Sequence, residues 1–190
     1  MSMAIAATDH EHWTAADLRE IPDDRNRYEI IDGELFVTPS PSWEHQDVAK
    51  RLLLIIDAYL ELHRIGKLVM APADVALADD TVVEPNLFVA PLVSGKPPQR
   101  WEDVGRLLLV VEILSPSTAR VDRTVKRRRY QREGVPEYWI VDAESRLVER
   151  WRPADDRPEI LAEGMQWRPD PTLAPLVIDL STLFAAALDP

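Results

Sequence analysis

Glu112 has the clearest chemical potential of any residue in this 190-residue chain. It stands at the end of the apolar run Leu107 to Val111, whose length and content suit a strand buried on both faces. A carboxylate in that place must be paired or must bind a metal, because burying an isolated charge is costly. The next stretch supplies the groups to pair it. Ser115-Pro116-Ser117-Thr118 breaks the strand, and Ser117 or Thr118 can cap the helix that follows. On that helix Asp122, Lys126 and Tyr130 are spaced i, i+4, i+8 and so share a face. Gly134 ends the helix, and Pro136 to Val141 returns as a strand. The unit reads as βαβ with the acid where its first strand meets the loop, the place where open α/β sheets bind ligands. Two readings stay open at this level: a site shared by acid and amine, or a structural ion pair between Glu112 and Lys126.

The elements that must position this unit follow from spacing and turn chemistry. Thr14 can cap a short helix from Ala15 to Glu20, which Pro22 stops, and Asp23 to Asn26 is a polar loop. Tyr28–Ile31 and Glu34–Val37 flank Asp32-Gly33, the strongest short hairpin signal. Pro39 and Pro41 break the second strand, and Ser42 caps a long helix from Trp43 to His63. Val48, Leu52, Ile55, Ile56 and Tyr59 form its apolar stripe, and Gly66 closes it. Lys67–Ala71, Asp74–Ala78 and Val82–Ala90 read as strands, the last carrying Glu84-Pro85-Asn86; Pro91 to Glu102 is an irregular loop. Leu147–Trp151, Glu159–Ala162 and a helix from Ser181 to Ala187 complete the chain. The alternation predicts α/β or α+β architecture with a mixed sheet.

Composition narrows the classes. One domain is expected over residues 14–190 behind a flexible tail, 1–13; there is no Gly/Ser linker and no internal repeat. Without cysteine there is neither disulfide nor thiolate metal site, which fits a cytoplasmic protein. No stretch is long enough to span a bilayer, so no membrane partner is expected. A net charge of −11 argues against general coating of polyanions, though a local basic patch remains compatible with nucleic acid.

The segments RYEIIDGEL (27–35), WEHQ (43–46), VEPN (83–86), VVEILSPST (110–118), the Asp122…Lys126…Tyr130 helix and GVPEYWIVD (134–142) resemble the Uma2 family, also called DUF820. The resemblance runs from about Arg27 to Phe184, and its most specific block is Glu112 to Asp142. It implies a restriction-endonuclease-like fold of the PD-(D/E)XK type, with a mixed central sheet flanked by helices and an N-terminal hairpin. It also implies a Mg²⁺- or Mn²⁺-dependent endonuclease acting on nucleic acid, in the first place DNA, as a homodimer.

Carried over position by position, the family's acid after proline falls on Asn86 and its second acid on Glu112. The motif lysine two residues later falls on Leu114 and is missing; the family's alternative is a lysine on the following helix, here Lys126. Glu34 matches an acidic position near the site, and Asp74 matches more weakly. Phosphodiester hydrolysis explains these residue types, since a hard divalent cation needs oxygen ligands and a lysine can stabilise developing charge. Glu112, Asn86 and the Ile113 carbonyl are then the metal ligands. In a regular strand Glu84 and Asn86 share a face roughly 6–7 Å apart, so Glu84 can return the charge lost at Asn86. The competing reading makes Glu84 a surface acid and Asn86 an inactivating substitution. Tyr130 stands beside the site or packs in the core, and Glu34 and Asp74 support the site or are ordinary turn and strand-end acids. His45 contacts a ligand or packs at its helix terminus. Of the arginines from Arg120 to Arg132, Arg123 and Arg127 are the expected phosphate contacts and the rest solvated helix face. The alternative function is a catalytically weakened relative that serves as a nucleic-acid-binding or dimeric interaction domain.

Overall fold

The computed structural model describes residues 11–21, 26–38, 40–100 and 104–189. The expectations for most of the tail, for the loop from Asp23 to Arg25, and for Pro22, Pro39 and Trp101 lie outside the described residues. A short helix α1 (Ala15–Leu18), capped by Thr14 and Asp17 in a capping box, precedes the hairpin β1 (Arg27–Ile31) and β2 (Glu34–Thr38). The hairpin turn places Asp32 at φ 52° and Gly33 at φ 80°, the left-handed pair that a two-residue turn requires. Helix α2 (Trp43–His63) starts where Ser42 caps the His45 amide. It ends on Arg64 in the left-handed conformation, and the expected terminator Gly66 instead opens β3 (Gly66–Met70). A Cβ at Gly66 would meet the Ala90 carbonyl oxygen at 2.8 Å, so close strand pairing is what calls for glycine there.

Strands β4 (Val75–Ala78) and β5 (Thr81–Val83) join the hairpin in a four-stranded sheet of order β2-β1-β5-β4. The main sheet has order β10-β9-β8-β7-β6-β3, formed by β6 (Leu87–Pro91), β7 (Leu109–Ile113), β8 (Tyr138–Asp142), β9 (Leu147–Trp151) and β10 (Glu159–Leu161) with β3. Among the described strands only the β7–β8 pair is parallel, as the βαβ reading requires. The strand expected from Val82 to Ala90 is therefore two strands in two sheets. Pro85 lacks an amide hydrogen for a ladder, and Glu84-Pro85-Asn86 forms the crossover between them. A small hairpin of β11 (Gly164–Trp167) and β12 (Leu176–Asp179), unforeseen in the sequence, leads into α5 (Leu180–Leu188).

Two cores follow from the period of two in the central strands. Leu109, Val111 and Ile113 of β7 face α2, α5 and the small hairpin. Val110 faces the other way, into a core shared with Ile31 and Val83 of the smaller sheet and with Tyr130. Glu112 is on the Val110 side by parity. The same parity puts Glu29 on the face of Ile31. Two buried acids from different sheets thus enter one interlayer.

Candidate active site

The connection from β7 to β8 reaches that interlayer from the side. It consists of α3 (Ala119–Val121), a π-helical turn (Asp122–Lys126) and α4 (Arg127–Arg132). Thr118 does not cap it; its hydroxyl hydrogen-bonds with Ser115 instead. The π turn widens the helix where both chemistry-bearing side chains leave it, a place where such turns often mark function. The Tyr138 hydroxyl donates to the Asp122 carbonyl at 3.1 Å and helps satisfy the disturbed backbone. Asp122, Lys126 and Tyr130 are all buried, so the shared face inferred from spacing survives the π turn.

Lys126 is the centre of the arrangement. Its Nζ lies 2.8 Å from Glu29 Oε2, 2.9 Å from Glu112 Oε1 and 3.4 Å from Asp122 Oδ1. All four side chains are 4 % exposed or less. Burial pushes the Glu112 carboxyl up to about 7, against the pull of Lys126. Burial also raises Asp122. For Lys126 burial works against the charge, yet Glu112, Glu29 and Asp122 hold its pKa well above the ordinary lysine range. Three acids around one ammonium leave a formal excess of negative charge in a dry place. Such an excess is tolerable only with bound protons or a cation.

The cluster opens into a cavity of about 830 Å³ bordered by β1, β7, the start of α2 and the helical connection. Glu29, Asn86, Glu112, Ile113, Asp122 and Lys126 all line it, as do Arg27, His45 and Arg123. Six acids border it (Glu29, Glu44, Glu112, Asp122, Asp142, Glu144) against four bases (Arg27, Arg123, Lys126, Arg146), so cations are favoured over bare phosphates.

The predicted residues divide clearly. Glu112, Lys126, Asn86 and Ile113 converge. Asn86 sits across from Glu112: its backbone amide donates to Glu112 Oε2 at 3.3 Å, and its side-chain Oδ1 accepts from the Ile113 amide at 2.8 Å. That oxygen therefore ties the crossover to β7. Glu84 is buried but does not border the cavity, since the strand that would align it with Asn86 does not exist. Its carboxylate pairs with Arg27, Nε to Oε1 at 2.8 Å, and its amide donates to Glu29 Oε1 at 2.8 Å. Glu34 is exposed at the closed end of the hairpin, roughly 13 Å along the strand from the open end that borders the cavity. Asp74 is also at the surface and outside the cavity; partial burial and the charge of Glu29 raise its pKa. Tyr130 packs against Tyr138 at 4.8 Å between ring centres and takes the core reading. Arg123 borders the cavity, but its guanidinium is bound by Glu149 at 2.6 Å and Asp142 at 2.9 Å. Arg127 lies outside it, stacked over Trp151 and bonded to Gln131.

Glu29 was not among the expected site residues. The signal was a charged residue at an alternating inward position of β1, two before Ile31. His45 is also at the site rather than only at a helix terminus. It is 8 % exposed and borders the cavity, with the Ile113 backbone and the Asn86 side chain within hydrogen-bonding reach. Burial, and next the Arg27 charge, lower its pKa from the ordinary imidazole value.

Comparison with known proteins agrees with this fold. A search of curated proteins finds no match. Among solved structures, the crystal structure of a "putative nuclease belonging to DUF820 from Anabaena variabilis ATCC 29413" superposes with a TM-score of 0.74 at 19 % identity. The match covers 93 % of this chain and 99 % of the other, so the nuclease-like fold is shared. The family model for Uma2, described as "Putative restriction endonuclease", matches residues 15–181, and the chain belongs to that family.

Proposed function

We propose that this chain is a Mg²⁺- or Mn²⁺-dependent endonuclease that hydrolyses phosphodiester bonds in DNA, with an activity limited by Asn86. The observation that carries the reading is the convergence of Glu112, Lys126 and the Ile113 carbonyl on one cavity beneath an excess of buried carboxylate. The donor set fits a hard cation: it is made of oxygens, and three acids share the Lys126 ammonium, which leaves surplus negative charge. Among the described residues no group of three His, Cys, Asp or Glu is placed to hold a metal ion, so an ion here would draw on Glu112, a backbone carbonyl and water.

Glu112 and the Ile113 carbonyl would hold the ion. When bound, a divalent ion supplies Lewis-acid stabilisation of charge on the phosphoryl oxygens. The chain's own residues do the rest. Lys126, held charged by its acids, offers an ammonium to the oxygen on which negative charge grows. Glu29 and Asp122 fix that ammonium from the other side. The apolar walls of the interlayer keep bulk water from screening it. The reading includes a homodimer, which sedimentation velocity would test.

The second reading, a weakened nuclease fold that binds nucleic acid or a partner, is favoured by Asn86 Oδ1 being spent on Ile113 and by the pairing of Arg123. A nicking assay on supercoiled DNA with Mg²⁺ or Mn²⁺ at low salt separates the two. The expected order is Asn86→Asp above wild type and Glu112→Ala at least about 100-fold below it. Equal background in all three proteins rejects the nuclease, and retention of DNA without cleavage supports the second reading.

A further inference from the structure

The larger cavity has more acids than bases in its wall, so a DNA backbone must find its positive charge elsewhere on a chain of net charge −11. Helix α4 is where that charge gathers: four of its six residues are arginine and none is acidic. Carboxylates hold two of the four. Arg129 is bound by Asp32 and Glu133, and Arg132 by Asp32. Arg127 is held without an acid: it stacks over Trp151, 4.7 Å from the ring centre, and its Nη1 donates to Gln131 Oε1 at 2.7 Å. Arg128 is exposed, and among the described residues its guanidinium has no hydrogen bond or ion pair. The chain has 33 Asp and Glu to 22 Lys and Arg, yet no described acid is set against Arg128. Arg128 and Arg132 stand i, i+4 on one face, where like charges oppose helix formation.

Both arginines border a second cavity, an open groove of about 580 Å³ between the helix, the hairpin turn and the chain after β9. Its wall has one acid, Asp32, which Arg129 and Arg132 already hold. The groove is thus net positive on a chain that is acidic as a whole. The connection between β7 and β8 separates the two cavities: Asp122 and Lys126 line the larger one, and Val125, Arg128 and Arg132 line the groove.

We propose that this groove binds the phosphodiester backbone of DNA, with Arg128 as its principal phosphate contact. The inference rests on the nucleic-acid reading above and adds where the polyanion is held. Arg128 can meet a phosphate directly, because no carboxylate must first be displaced. Arg132 is the second donor, kept oriented by Asp32, and Arg127 adds positive charge beside Gln131. Arg123 is less suited, since Glu149 and Asp142 already bind it. A strand with its reacting phosphate in the larger cavity crosses the helical connection to reach the groove. Contacts of this kind position the backbone and read no bases, so the affinity they give depends on salt rather than on sequence.

The test measures binding of a short fluorescent DNA duplex by anisotropy over a series of NaCl concentrations, without divalent cation, so that no strand is cut. Four proteins are compared: wild type, Arg128→Gln, Arg128→Lys and Lys50→Gln. Lys50 is an exposed lysine of α2 that lines neither cavity, and its replacement makes the same change in net charge. Thermal melts check that each variant is folded. Loss of one phosphate contact should lower the slope of log K against log salt by about 0.9 in Arg128→Gln. Arg128→Lys should keep most of the slope, because the charge remains, and Lys50→Gln should match the wild type. An unchanged slope in Arg128→Gln overturns the groove, and so does an equal fall in Lys50→Gln, which would mean a general charge effect. Sedimentation velocity covers the rival occupant: a dimer that Arg128→Gln dissociates gives the groove to a second copy and overturns the proposal. A wild type that does not bind the duplex also overturns it, while the endonuclease reading stands or falls separately, by the nicking assay with Mg²⁺ or Mn²⁺.

Discussion

Two ionic clusters built on the connection between β7 and β8 set acids against bases to different ends. At the hairpin turn Asp32 accepts from Arg129 Nη1 at 2.6 Å and from Arg132 Nη2 at 2.5 Å, while Arg129 also pairs with Glu133 at 2.8 Å. There three acids, Asp32, Glu133 and, at 3.9 Å, Asp80, meet two guanidinium groups, and the Asp32 and Arg132 side chains are about half exposed. Deeper in, Glu29, Glu112 and Asp122 share one ammonium with almost no exposure. The exposed cluster clips the hairpin to the helix, and its Asp32 and Arg132 border a separate cavity of about 580 Å³. The buried one borders the larger cavity, and its surplus charge is the more costly because it is withdrawn from water. Burial and the number of acids per cation, rather than the presence of ion pairs, distinguish the two.

The comparison is broken most severely by removing the shared ammonium. Lys126→Met leaves three buried acids without a counter-charge and is expected to cost about 3–5 kcal/mol at pH 8, read from urea denaturation. An equally stable variant would mean that the three acids are already neutral.

Titration of the buried cluster gives the next effect. Glu112 has a folded pKa of about 7 against an ordinary value of 4.5. Its folded state therefore binds protons more tightly than the unfolded state. Its contribution to stability is fully present below about pH 4.5 and is lost as pH rises through about 7. The loss is of order 3 kcal/mol at about 1.4 kcal/mol per unit. Denaturation midpoints of the wild type should fall between pH 5 and pH 8, and Glu112→Gln should flatten that slope. Saturating Mn²⁺ should also reduce the fall, since a bound cation favours the ionised acid.

The exposed cluster should respond weakly and with the opposite sign. Burial tends to raise Asp32, but the Arg132 and Arg129 hydrogen bonds outweigh it and leave its pKa lowered. Its contribution is present above an ordinary value of 3.8 and is lost as pH falls below that. Asp32→Asn should cost at most about 1 kcal/mol at pH 7, because the pair is half exposed, and leave Mn²⁺ binding unchanged. A larger cost would show that the hairpin clip helps to hold the site.

Much of this was legible in local patterns. Asp32-Gly33 specifies its turn by backbone conformation, Ser42 and the apolar stripe specify α2, and the run ending in Glu112 followed by a breaker specifies the parallel β7–β8 unit. Each depends on neighbours within a few residues. Glu29 was less legible, since one strand cannot reveal which of its faces another sheet will cover. Pro85 was a local signal of a different kind, and it separates Glu84 from Asn86 more completely than a strand irregularity would.

By itself the sequence determined which residues could do chemistry and on which elements they ride, because strand parity, helix spacing and turn propensity act over short range. It also determined the family, through several motifs in the right order. The tertiary structure alone decided which acids meet. Glu29 and Glu112 come from different sheets and Asp122 from the helical connection between β7 and β8. Their convergence on Lys126, with Glu84 drawn away by Arg27, follows from how the layers stack. Burial of that meeting point makes its charge excess matter, and burial is a property of the packed whole.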